Sequence, residues 1–231
     1  MPILAKLQRI NSEDARQFAY RILKLSILEL LLHPGEKLNE ADLADSLSMS
    51  RTPVHDVIGR LGRENLVEQI PKRGAFVTQI NVARAEQAAW SQSQAGTAVL
   101  ETLYTQRVSK TELELLRKNL AEQQFCIATD DNDRAAHKVI EFYHILYRIA
   151  NLEMVWASLE CAGADLRRLA HLVGAQANGC ETARLECRAI LEALEGRDNA
   201  AACRALQHHF ARICSQIETL QKERPDFFEK N

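Results

Sequence analysis

Proline is scarce where a helix would suffer most from it. The chain has 231 residues and five prolines, and after Pro71 only Pro225 interrupts it. Glycine is thin over the same stretch, with Gly96, Gly163, Gly174, Gly179 and Gly196 beyond residue 80. A long segment so poor in both excludes a turn-rich β-sandwich or barrel and favours helices. Charge of one sign is also missing: 29 Lys and Arg against 31 Asp and Glu give a formal net charge of −2. That excludes a polybasic coat that would hold nucleic acid at any position. Long apolar runs are absent. Leu28 to Leu32 is the longest and contains Glu29, far short of a membrane span. The N-terminus lacks a basic-then-apolar signal pattern, so a soluble cytoplasmic protein is expected. No nucleophile elbow, phosphate-binding glycine loop or metalloprotease His pair occurs, which argues against an enzyme.

What is present concentrates between residues 34 and 77. Asn39 is a good N-cap, with Asp42 in an acidic first turn. Leu43, Ala44 and Leu47 then share one helical face. Ser48 and Met49 make a turn. Ser50 is expected to cap a second helix, with Pro53 in its first turn. Val54, Val57, Ile58 and Leu61 form the apolar stripe of that helix, and Arg51, Thr52 and His55 cluster at its N-terminal end on the other side. Two β-rich segments follow, 66–70 and 75–78, joined by Pro71-Lys72-Arg73-Gly74. Gly74 permits positive φ, and Lys72 and Arg73 put positive charge at the tip. Helix, turn, helix and basic wing in this order fit the major groove of duplex DNA. The residues expected to meet DNA are Ser50, Arg51, Thr52, His55, Lys72, Arg73 and Gly74.

A helix is expected before this motif, over 12–33, with Phe18, Ile22, Leu25, Ile27, Leu28 and Leu31 inward and Pro34-Gly35 as its stop. After a short linker near 79–81, helices are expected at about 82–107, 110–127, 131–149, 152–173, 180–195 and 198–223. The fold class is therefore mainly α: an N-terminal winged helix-turn-helix with a small β-hairpin wing (1–78) and a C-terminal bundle of about six helices (82–231).

The segments PGEKLNEADLA, SRTPVHDVIGRL and PKRGAFV resemble the DNA-binding domain of the GntR family of bacterial transcription regulators. The family usually has arginine at the position of His55, glycine at that of Ser48, and rarely glycine at Gly59 and Gly62. The two glycines predict a soft end to the recognition helix. The helical remainder resembles the FCD effector domain of the FadR-like branch. That resemblance implies a homodimer on a double-stranded DNA operator, acting as a regulator, with repression expected, and answering to a small-molecule effector.

The same resemblance implies a metal site and an effector pocket, carried over one position at a time. His144 stands at a family histidine, but Ile140 occupies the place of the aspartate four residues before it. Cys187 stands at the second histidine, and His209, eleven residues after Asp198, at the third. Gln92 stands where an arginine binds ligand carboxylates, and Gly96 near it where a glutamate is usual. The effector pocket is expected at Gln92, His144, Cys187 and His209. Three readings of it stay open: zinc or another divalent metal on His144, Cys187 and His209; a metal-free pocket for an uncharged or different effector; or side chains that merely pack. Of the six cysteines none forms a C-x-x-C pair. Most are expected to be small buried apolar groups, and Cys180, near a helix start, to be the reactive one. His137, His171 and His208 are expected at the surface.

Overall fold

The computed structural model describes residues 13–230 and divides into two compact units, 13–82 with 221–230, and 83–220. In the first unit the order is α1 (Ala15–Leu28), β1 (Lys37–Leu38), α2 (Glu40–Ser46), α3 (Arg51–Arg63), β2 (Val67–Ile70) and β3 (Gly74–Val77). Asp14 starts α1 through a capping box: its carboxylate accepts the Gln17 N–H at 2.8 Å, and the Gln17 side chain accepts the Asp14 N–H at 2.9 Å. The expected start at residue 12 lies outside the described residues. The expected end at Pro34 was too late. Leu30 turns to φ 56°, and the Leu31 and Leu32 N–H groups bond back to the Ser26 carbonyl. Leu30 and Leu32 are buried from this turn, which is why the apolar pattern outran the helix.

Asn39 caps α2, its side-chain oxygen accepting the Ala41 N–H at 3.0 Å. Ser50 occupies the N-cap of α3 but makes no side-chain cap bond. Ser48, in the turn between them, holds φ 54°, the left-handed region that glycine adopts without strain. Val54, Val57, Ile58 and Leu61 are buried as the spacing required. The wing is a three-stranded antiparallel sheet in the order β1-β3-β2, with Val67 opposite Val77 and Ile70 opposite Gly74. β1 was not expected from sequence. Two residues carry no alternation to read, and pairing with β3 alone defines them.

The end of the chain belongs to this first unit. Ile80 and Phe228 form a parallel bridge, in which the Ile80 N–H donates to the Phe227 carbonyl at 2.8 Å and the Glu229 N–H to the Ile80 carbonyl at 3.1 Å. Phe227 and Phe228 are buried, and the Phe227 ring lies 5.4 Å from that of His33.

The helices of the remainder are α4 (Val82–Gln106), α5 (Lys110–Ala128), α6 (Asn132–Ile149), α7 (Glu153–Ala162), α8 (Ala164–Gly174), α9 (Gly179–Glu195), α10 (Asn199–Ser215) and α11 (Ile217–Glu223). Two expected helices are each divided. The first breaks at Gly163, where a Cβ would lie 2.9 Å from the Leu159 carbonyl oxygen and 2.8 Å from the Gln92 amide nitrogen. The second breaks at Gln216. α5 packs on α6 and α9, and α9 on α10, around Leu116, Phe142, Leu146, Ile190 and Leu206. At Gly96 a Cβ would fall 2.8 Å from a methyl of the Leu206 side chain, which would have to shift for a larger residue. Among the described residues no helix is long and apolar enough to cross a membrane.

Candidate functional sites

The N-terminal end of α3 and the wing tip present a polar, basic surface. Ser50, Arg51, Thr52, His55, Lys72, Arg73 and Gly74 are all exposed. Because the Ser50 hydroxyl is not spent on a cap, it is available to a phosphate oxygen. The first N–H groups of α3 have no intrahelical partner and favour an anion. The wing bends through Lys72 at φ 65° and Gly74 at φ 106°. The Arg73 guanidinium lies 5.7 Å from the centre of the Phe76 ring, which steadies one of the two tip charges. His55 faces an acid: its Nδ1 is 3.0 Å from Glu40 Oε1, and that hydrogen bond raises its pKa above the usual histidine value.

The far end of α3 is pinned rather than soft. Glu64, just past the helix, accepts from the Tyr20 hydroxyl at 2.7 Å and from Lys24 Nζ at 2.7 Å, both on α1. Arg60 stacks its guanidinium 3.5 Å from the centre of the Tyr20 ring. Burial alone would raise the Glu64 pKa, but the Lys24 and Tyr20 hydrogen bonds hold it below the usual range. Tyr20 and Lys24 were invisible from sequence because they lie 44 and 40 positions away from Glu64 in the chain, on a helix with no motif.

In the helical unit Cys187 and His209 both adjoin Tyr143, whereas Gln92 and His144 have other partners. Gln92 reaches over Gly163. The His144 ring stacks on Trp156, 5.4 Å between centres and 8° from parallel. His209 is buried, its Nδ1 2.6 Å from Glu186 Oε2. Cys187 is fully buried beside Gln123 and Tyr143, and burial pushes its thiol up to about 12. Among the described residues no three His, Cys, Asp or Glu side chains converge as a metal-holding group. His144, Cys187 and His209 therefore do not fit a metal as a set.

Glu186 was not singled out by sequence, yet it organises this region. Its carboxylate takes His209, Arg212 Nε at 2.6 Å and Nη2 at 2.9 Å, and His208 at 3.2 Å. Burial would raise its pKa, but the His209 and Arg212 hydrogen bonds and charges bring it to about 2. Arg168 is the largest fully buried side chain. Its Nη2 meets Asp165 Oδ1 at 2.5 Å, and Asp165 Oδ2 takes Arg84 Nε at 2.6 Å. A helical pattern does not reveal such pairs, since it classes arginine as outward-facing.

The cysteine expectation needs one correction. Cys180 is buried, and desolvation raises its pKa instead of the helix start lowering it. Cys161 is the exposed one. His171 is also largely buried, which lowers its pKa, whereas His208 is exposed.

The chain matches the family model for bacterial regulatory proteins of the gntR family over residues 15–77, and that for the FCD domain over 98–212. The HTH-type transcriptional repressor RspR of Escherichia coli (strain K12) is 24% identical over 217 residues, which cover 94% of this chain and 95% of that protein. The gluconate operon transcriptional repressor of Bacillus subtilis (strain 168) is 22% identical over 210 residues, 86% of this chain and 83% of that one. The solved structure of E. coli McbR/YncC matches with a TM-score of 0.74 at 19% identity, covering 92% of this chain and 99% of that one, and so shares its fold.

Proposed function

Because the chain belongs to the gntR family of bacterial regulatory proteins and carries an FCD domain, we propose that it represses transcription as a homodimer on a palindromic operator, under control of a small molecule held in the bundle. The observation that carries the DNA half of this reading is the exposed start of α3 beside a basic wing tip. Arg51 is placed to fork onto guanine or clamp a phosphate, and Thr52 to bond a phosphate or touch a thymine methyl. Lys72 and Arg73 suit phosphates or the minor groove. A formal charge of −2 is compatible with tight binding, since two copies double the contacts.

The homodimer is supported by α7. None of its residues is buried, although Met154, Val155, Trp156, Ala157, Leu159, Cys161 and Ala162 are apolar. Met154 is 85% exposed, and the stretch between Glu153 and Glu160 is uncharged. A second copy meeting this face with the same uncharged stretch involves no like-charge clash. The effector half rests on the FCD match and on the polar interior around Glu186.

Selection of binding sites from random duplex DNA with the purified full chain tests the reading. An inverted repeat with half-sites about one helical turn apart, or a multiple of it, is the expected result. Arg51→Ala should weaken binding to that site by about 1–3 kcal/mol if it reads a base, or uniformly across sequences if it holds a phosphate. Recovery of no shared sequence, or full affinity in the variant, would overturn the assignment.

A further inference from the structure

The interior of the bundle leaves three polar groups without partners in one place. Asn119 is 3% exposed, Gln123 0% and Tyr143 6%. Gln123 Nε2 donates to Asn119 Oδ1 at 2.8 Å, which leaves Asn119 Nδ2 and Gln123 Oε1 with nothing to bond. The Tyr143 hydroxyl is likewise unbonded, though it adjoins the Cys187 thiol, as Gln123 does. The site is thus walled by α5, α6 and α9. Leaving a buried polar group unsatisfied is costly, so three of them clustered call for an occupant.

The chemistry of the occupant follows from what the walls offer. Asn119 needs an acceptor, Gln123 needs a donor, and Tyr143 takes either. The amide orientation is fixed by a second contact, since Gln123 Nε2 also donates to the Lys138 carbonyl at 3.4 Å and an exchanged oxygen would meet another acceptor there. A carboxylate would bring acceptors only, leaving Gln123 Oε1 unpaired. An ammonium would bring donors only, leaving Asn119 Nδ2 unpaired. A neutral group with donor and acceptor side by side satisfies both, as an amide does.

We propose that Asn119, Gln123 and Tyr143 bind a small uncharged ligand bearing an amide-like donor–acceptor pair. As a regulatory site it rests on the bundle being the effector domain; as a binding site it stands alone. His144 and Gln92 are not part of it.

The test pairs isosteres: acetamide with acetate, and propionamide with propionate, each against the full chain by saturation-transfer NMR at equal ionic strength. The amides should bind and the carboxylates should not. Tyr143→Phe, which removes one oxygen from a buried ring, should weaken amide binding about tenfold or more. Gln123→Met is the second variant and should abolish it. The proposal is overturned if the carboxylates bind as well as the amides, if neither amide binds (the groups then being met by ordered water only), or if both variants bind amides normally. Operator affinity with and without amide is measured separately. Amide binding with no effect on DNA would keep the site and remove its regulatory role.

Discussion

At the scale of single residues, His55 shows how a motif position can change its chemistry. The family's usual arginine is charged at every accessible pH, whereas His55 carries its charge only below its own pKa. Glu40 raises that pKa, so in the folded protein the proton is held from acid pH to above the ordinary histidine value. If His55 meets the operator, affinity should fall as pH rises through the raised pKa. DNA titrations across this range check it. His55→Ala should flatten the pH profile, and Glu40→Ala should move the fall to lower pH. A wild-type profile already flat would remove His55 from the interface.

Ser48 and Gly59 carry the same lesson for the backbone. The family's glycine in the turn is explained by the φ of 54° that Ser48 is made to adopt. Gly59 sits in an ordinary helix with open space where its Cβ would be.

At the scale of elements, glycines separate into those a helix tolerates and those its neighbours require. Gly59→Ala should stabilise the protein by up to about 1 kcal/mol, because nothing opposes the methyl and alanine lowers the entropy of the unfolded chain. Gly179→Ala should destabilise by about 1–3 kcal/mol, since its Cβ would overlap the carbonyl oxygens of Val173 and Gly174. Urea unfolding of both variants checks the two signs together, and equal effects would mean the packing at the start of α9 is looser than it looks. The joint between α3 and α1 follows the same logic. Two glycines alone predict a frayed helix end, but Glu64, Tyr20, Lys24 and Arg60 tie that end down.

At the scale of the whole molecule, the two compact units carry different kinds of surface. The first ends in exposed cations at α3 and the wing, and the second carries in α7 a helix without a single buried residue. If a second copy covers that helix, Met154→Lys should shift sedimentation from dimer to monomer, because each interface would bury two added charges. Operator affinity should fall with it, as only one half-site is then held. A dimer unchanged by Met154→Lys would place the interface elsewhere.

Local pattern settled much of this protein. The second helix of the motif, its buried stripe and the basic wing follow from residues close together in the chain, where caps, period and turn chemistry act over a few positions. The helical character of residues 82–223 is written in the near absence of proline and glycine. Tertiary structure decided the rest, because the determining partners are far apart in sequence. β1 exists only against β3, and the chain end is held by Ile80. That Cys187 and His209 meet at Tyr143 while His144 stacks on Trp156 could not be read from their family register. Neither could the one unpaired amide atom on each of Asn119 and Gln123, since a polar residue facing inward looks the same in sequence as one facing water. Periodicity reports which face is apolar, but only the packed chain shows which polar atoms that face has shut in.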